Sequence, residues 1–218
     1  TLEIQYTAYT NGAWSAGTKK MYDFDASGNQ IEYTYYSALT NGNWGGSGSI
    51  HEVWTYTSGK KTYYEKQTWS NGWVNSSKET WEYNGPSAKQ TYYEKNVWSN
   101  GAWIGSAKEL WEFNAKGSQT LHEKYGWANG DWAISQQDNS VFDASNRNIL
   151  VENYTYTNGV QKGTKKEEYT YYGTTTKKTS TIKYKWATSE WVYNTKAAND
   201  YDAAGNTIET ANYTWKND

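Results

Sequence analysis

Four glutamates, Glu65, Glu94, Glu123 and Glu152, recur at equal intervals along the chain. Glu79 and Glu109 mark a second, partial row, with Glu167 and Glu52 near the same position. Paired carboxylates are the acid and the base, or the nucleophile, of glycoside hydrolysis. On every second strand of a sheet such side chains sit roughly 10 Å apart, near the upper limit of an inverting pair. A catalytic site, however, is one asymmetric constellation, and this is a ladder. The row therefore reads as structural, paired with Lys, with Tyr hydroxyls or with backbone.

The other candidates for chemistry are thinner. His51 and His122 are the two histidines, far apart in the chain and in non-equivalent positions, which argues against a metal site or a His-based triad. Asp25-Ala26-Ser27-Gly28-Asn29 has the start of a calcium loop but lacks the further carboxylates that close one, so it reads as a hairpin turn. With no Cys there is no thiolate ligand and no disulfide. P-loop, dinucleotide, nucleophile-elbow and zinc-helix motifs are all missing. The sequence points to no enzyme, no cofactor and no metal. Rows of aromatic rings can still hold a ligand by stacking on its apolar faces. The candidates are Trp69, Trp98, Trp103, Trp127, Trp132, Trp186 and Trp191. The competing and heavier reading is that these rings are the only core the chain has.

What positions these residues is a repeat. Asn-Gly pairs begin at Asn11, Asn41, Asn71, Asn100, Asn129 and Asn158, at intervals of 30, 30, 29, 29 and 29, and Thr188-Ser189 falls 30 further on. A fixed period of this length marks one supersecondary unit copied and stacked. Asn-Gly between alternating residues predicts a two-residue hairpin, because both residues tolerate positive φ. A second turn of the form D/N-x-x-G, as in Asp25–Gly28, Asn114–Gly117 and Asp202–Gly205, leads from each hairpin to the next. The expected fold is all-β: one repetitive antiparallel meander of about 14–15 strands over residues 1–218. Its repeats run at about 4–30, 31–61, 62–90, 91–119, 120–148, 149–177 and 178–207, with a partial one at 208–218.

Register follows from the two-residue turn. The predicted cross-strand pairs are Tyr9 with Trp14, Leu39 with Trp44, Trp98 with Trp103, Trp127 with Trp132 and Trp186 with Trp191. Tyr156 falls opposite Gln161 and, because Trp73 comes one residue early, Trp69 falls opposite Val74. Uninterrupted alternation puts the aromatics near the second turn on this same face: Tyr22 and Phe24, Trp54 and Tyr56, Trp81 and Tyr83, Trp111 and Phe113. One face is then aromatic. In the fourth repeat the other carries Tyr93, Lys95, Val97, Ile104, Ser106, Lys108, Leu110 and Glu112. Such a sheet can curl, wind as a spiral, pack on a partner, or stay a single layer with Lys and Glu stems over its rings. A curled or superhelical sheet is favoured over a closed barrel.

Composition agrees with an ordered β protein. The chain has 14 Trp and 22 Tyr in place of aliphatic residues, and a net charge of −2 with mixed Lys and Glu. That balance lacks the basic excess of a nucleic-acid binder. No apolar run reaches the length of a membrane helix, and polar residues alternate where a membrane barrel needs an apolar outer face. The one proline, Pro86, rules out Pro-rich linkers. The Lys pairs Lys19-Lys20, Lys60-Lys61, Lys165-Lys166 and Lys177-Lys178 read as solvated strand ends that discourage edge pairing. The sequence opens at Thr1 in mid-repeat, as expected of a mature form or an excised piece.

Tyr201-Asp202-Ala203-Ala204-Gly205-Asn206-Thr207, followed by Tyr213, resembles a YD repeat, as does Phe24-Asp25-Ala26-Ser27-Gly28-Asn29 followed by Tyr33 and Tyr35. YD repeats build the RHS-type bacterial surface and toxin proteins. The alternation of N-G-x-W with Y-D-x-x-G-N is also similar to secreted repeat proteins of Bacteroidetes. The resemblance implies a long antiparallel β-ribbon, secreted or at the cell surface, with no chemistry in its repeats. In RHS proteins such ribbons spiral into a shell around a cargo. The period of 29 to 30 is longer than a usual YD unit, and the Asn-Gly-x-Trp hairpin is not part of that motif. The expectation is a non-enzymatic spacer, adhesin segment or protein-binding scaffold, with a carbohydrate-binding module as the alternative. Its partner is a protein or glycan at a surface, or another copy of itself.

Overall fold

The computed structural model describes residues 1–84 and 89–216. The chain enters as β1 (Leu2–Thr10), β2 (Ala13–Phe24), β3 (Gln30–Tyr36), β4 (Ala38–Thr40), β5 (Asn43–Gly45) and β6 (Ile50–Thr57). It continues with β7 (Lys60–Trp69), β8 (Trp73–Asn84), β9 (Lys89–Ser99), β10 (Ala102–Phe113), β11 (Gln119–Ala128) and β12 (Asp131–Phe142). The last five are β13 (Asn148–Thr157), β14 (Val160–Tyr171), β15 (Lys178–Ala187), β16 (Glu190–Tyr201) and β17 (Thr207–Thr214). Fifteen strands follow one another in chain order in one antiparallel sheet, with β1 and β17 as its two edges, so it is not a closed barrel. The chain divides into two compact units, Thr1–Lys108 and Glu109–Asp218. The β8–β9 connection, which contains Pro86, lies outside the described residues.

The second repeat departs from the plan. Its hairpin, β4–β5, leaves the sheet as a separate two-stranded ladder, and β3 pairs directly with β6. Leu39 still faces Trp44. At 7% exposure Leu39 is the one hydrophobic side chain buried among the described residues. Among the described residues neither unit has an aliphatic interior, so stability comes from rings and stems lying across neighbouring strands.

The Asn-Gly turns adopt the predicted geometry. Asn100 and Gly101 have φ of 50° and 80°, and Thr188 and Ser189 reach 51° and 70° without glycine. The pairs Tyr9–Trp14, Trp127–Trp132, Tyr156–Gln161 and Trp186–Trp191 stand in register as expected. The third repeat differs: Trp69 faces Trp73, not Val74. Ser70, Asn71 and Gly72 form a three-residue loop, closed by Ser70 N–H on the Gly72 carbonyl (2.8 Å), with Gly72 at φ 144°. The longer loop absorbs the missing residue and keeps the tryptophans paired.

Bulges in β2, β8, β12, β14 and β16 overturn the single aromatic face. Between Lys124↔Gln136 and Tyr125↔Ile134, Ser135 has no partner residue of its own. Thr164 and Asn194 take the same place in the next two hairpins. Each lies six residues after the first residue of its turn. Ser135 Oγ donates to the Lys124 carbonyl (3.0 Å) and Thr164 Oγ1 to that of Asn153 (3.1 Å). One extra residue reverses the alternation beyond it. Trp54, Tyr56, Trp81 and Tyr83 therefore lie on the face opposite the turn-flanking tryptophans, where Trp54 meets Tyr64 and Trp81 meets Tyr93. Trp111 lies with His122, next to Glu123 on its strand and so facing away from it. In the first repeat Tyr22 faces Tyr33, away from the Tyr6–Trp14 stack. Lys108 moves the other way, its ammonium over the Tyr92 ring. Both faces carry aromatic rings. We call the one with the turn-flanking pairs the clasp face and the other the reverse face.

Candidate functional site

The seven predicted tryptophans lie on the clasp face beside the hairpin turns, all of them half-buried. Four hairpins each assemble an edge-to-face tryptophan pair, an attractive arrangement for aromatic quadrupoles. Ring centroids are 5.1 Å apart for Trp98–Trp103 and Trp127–Trp132, and 5.0 Å for Trp186–Trp191. Trp73 joins Trp69 at 5.1 Å.

Two of these clasps dock on the preceding hairpin. Trp191 Nε1 donates to the Tyr154 hydroxyl (3.0 Å), and the Tyr154 ring meets both Trp186 and Trp191. Gly163, opposite Tyr154, lies beneath them. A Cβ there would come within 2.3 Å of the Trp186 ring and 2.5 Å of the Trp191 ring. In the first unit Gly45 serves Trp69 in the same way, at 3.0 Å. Tyr36 there touches Trp44, Trp69 and Trp73, and Trp44 reaches on to Tyr6. Ring edges stay accessible. A groove of about 550 Å³ between two hairpin tips is lined by Trp127, Ile134, Tyr156, Asn129 and Asn158.

The two glutamate rows lie on opposite faces. Glu65, Glu94, Glu123 and Glu152 share the clasp face, whereas Glu52, Glu79, Glu109 and Glu167 point to the reverse face. The bulge separates them, so a carboxylate of one row cannot face one of the other. Each of the eight has a partner. Tyr63 donates to Glu65, Tyr92 to Glu94 and Tyr125 to Glu123 (2.5 Å), all at i−2 or i+2 along one strand. Lys166 holds Glu152 at 2.8 Å. On the reverse face Tyr64 bonds Glu52 (2.6 Å), Tyr93 bonds Glu79 (3.1 Å), His122 bonds Glu109 (2.7 Å) and Tyr169 bonds Glu167. Partial burial, reinforced by these carboxylates, pushes the Tyr63 and Tyr125 phenols up to about 12 and raises those of Tyr64, Tyr92 and Tyr169 further. Burial works against the Glu167 carboxylate, yet Tyr169, Lys165 and Lys183 hold its pKa below the usual value.

The remaining candidates resolve into structure. His51 bridges Glu32 (2.8 Å) and Gln67 (3.2 Å), and His122 stacks on Trp111 with planes 10° apart. Asp25 Oδ1 accepts from the Ser27 and Asn29 amides, making a turn out of the calcium-like run. No cluster of three or more metal-ligating side chains occurs among the described residues. The Lys pairs are only partly solvated strand ends: Lys165, Lys177 and Lys178 are exposed, yet several lysines lie over rings. Lys61 lies over Tyr64 and Trp81, Lys166 over Tyr184, and Lys178 3.6 Å from the Tyr169 centroid.

One feature went unread in the sequence. In the second unit, a cation from each D/N-x-x-G-type turn reaches backbone carbonyls of the next. Lys116 bonds the Ala144 carbonyl, Arg147 bonds those of Gly173 (2.7 Å) and Thr175 (2.6 Å), and Lys177 bonds that of Gly205. Their recurrence at close to the repeat period was the available signal.

No protein-family model matches the chain, and no curated protein matches it. Among solved structures it is similar to TcdB2-TccC3-TEV, with a TM-score of 0.28 and 10% sequence identity. That match covers 93% of this chain and 12% of the other. A likeness at this level leaves the fold resting on its own strand pairing and assigns no activity.

Proposed function

We propose that this chain is a non-enzymatic repeat module, secreted or displayed at a cell surface, that serves as a structural spacer, adhesin segment or protein-binding scaffold. The observation that carries this is the docking of Trp186 and Trp191 onto Tyr154 and Gly163 of the preceding hairpin. Rings at the place where a ligand platform was expected are spent on joining repeats. The acid rows are likewise spent on Tyr and Lys. The YD-like turns at Phe24–Asn29 and Tyr201–Thr207 support an RHS-like β-repeat assignment and the location that goes with it. The test is thermal unfolding of Trp186→Ala with Trp191→Ala. A scaffold loses melting temperature, whereas an unchanged melt would sink the reading.

A carbohydrate-binding role is the second reading, favoured by the groove beside Trp127 and Tyr156. A glycan array with the parent chain and with Trp127→Ala decides it: a hit abolished in a variant that melts normally makes the module a lectin. Glu94→Gln with Glu123→Gln tests the absence of catalysis, since no turnover found on any glycan should depend on them.

A further inference from the structure

Neighbouring hairpins of the second unit part before they reach their turns. The β12–β13 ladder starts at Gln136↔Thr155 and the β14–β15 ladder at Lys166↔Tyr184, which leaves a gap between the tips in each case. The later gap is filled, because Trp186 and Trp191 lie over Gly163 and against Tyr154. One period earlier both halves of that fit are changed. Ile134 stands where Gly163 stands, and Tyr156 and Gln161 stand where Trp186 and Trp191 stand. The groove of about 550 Å³ lies at this joint. The earlier hairpin lines it with Trp127, Asn129 and Ile134, and the later one with Tyr156 and Asn158. The Tyr156 ring is held by its hydroxyl, which donates to Gln137 (2.9 Å) and accepts from Gln161 (3.1 Å). Asn129 and Asn158 are exposed at the tips, and each amide can both donate and accept. None of the described residues lining the groove carries a charge.

We propose that this groove binds an uncharged sugar, whose pyranose ring stacks its C–H face on the Trp127 indole while the Asn129 and Asn158 amides meet its hydroxyls. The proposal rests on the carbohydrate reading of the same groove and narrows it to one joint and one class of sugar. The next gap along the chain shows that a space of this kind takes flat rings, since two indoles fill it. An aromatic wall beside a few polar groups suits a ligand with an apolar face and a polar rim. A uronate or a sialic acid would bring its carboxylate into a groove with no cation to receive it, at a cost in desolvation. The aromatic side chain of a protein partner would cover the asparagine amides without matching them.

The test follows amide and indole signals of the isotope-labelled full chain while neutral hexasaccharides of glucose, mannose and galactose are added in turn, with hexagalacturonate as the charged control. Saturable shifts at Trp127, Asn129 and Asn158 with a neutral sugar are the expected result, and Trp127→Ala should weaken binding about tenfold. Ile134→Gly with Gln161→Trp rebuilds here the joint found at Gly163, and should abolish binding without lowering the melting temperature. The proposal is overturned if hexagalacturonate binds as well as the neutral sugars, if the rebuilt variant binds undiminished, or if N-acetyltryptophanamide moves these signals and no sugar does. Sugar-induced shifts confined to the Trp98–Trp103 or Trp186–Trp191 tips overturn it too, but keep the wider carbohydrate reading. Silence from every sugar, here and on the array, ends both.

Discussion

Gly163 does its work by lacking a side chain. Alanine there must displace two tryptophan rings at once, and overpacking of this kind costs about 1–3 kcal/mol. Gly163→Ala should therefore lower the denaturant midpoint, whereas Gly126→Ala, whose added Cβ meets nothing within 4 Å, should change it little. Equal effects of the two would remove the docking argument. The Tyr–Glu pairs make a second prediction at this scale. Desolvation first and Glu94 second raise the Tyr92 phenol, so Glu94→Gln should lower its titration midpoint in an ultraviolet pH series. The partners Tyr9–Trp14, Trp127–Trp132 and Trp186–Trp191 were legible because a two-residue hairpin fixes register, whereas Trp69 was misassigned to Val74 because its turn has three residues. Gly163 was not, because its neighbours come from a different repeat.

At the scale of the strand pair, turns were the legible part and bulges were not. Asn-Gly announces its geometry, and even Thr188-Ser189 was found by period. Those two residues hold a left-handed backbone without glycine, a conformation that costs an ordinary residue about 1–2 kcal/mol. Ser189→Gly should accordingly stabilise the β15–β16 hairpin by about 1 kcal/mol, read from a raised melting temperature. A lowered one would mean that the turn is not strained. Bulges inserted one unpaired Ser, Thr or Asn into β8, β12, β14 and β16, and uninterrupted period-two counting assigned Trp81 and Trp111 to the wrong face. The hydroxyl or amide residue six after the turn start was a signal, visible only once the hydrogen bond to the facing carbonyl was seen. The β4–β5 hairpin escaped for another reason: its turn is regular, but β3 finds β6 first.

For the whole molecule, repetition makes two predictions. Excising Thr120–Asn148 removes one full period and joins positions of equal phase, so the shortened chain should stay soluble with the same far-ultraviolet signature per residue. Aggregation of that variant, with a half-period deletion no worse, would argue against modular stacking. The second concerns alkali. Folded tyrosines bind their protons more tightly than unfolded ones, so their contribution is complete below the unfolded value of about 10 and is lost as pH rises. Unfolding should begin above pH 10 and steepen towards the folded value of about 12 reached by Tyr63 and Tyr125. A fold unmoved through that window would place the phenols outside the protein's energetics.

The cations joining one D/N-x-x-G turn to the next bind a single margin of the second unit, while towards the other margin rings meet across repeats and Trp191 and Tyr156 donate hydrogen bonds to the neighbouring repeat. Held by its two ends and drawn apart, a meander passes the load from strand to neighbouring strand, peeling them one at a time. Each repeat would then release about 100 Å of extended chain, in steps that a force trace can count. Strands that give way in succession would lengthen the chain stepwise under tension, and a single-step rupture would show that the repeats unfold together.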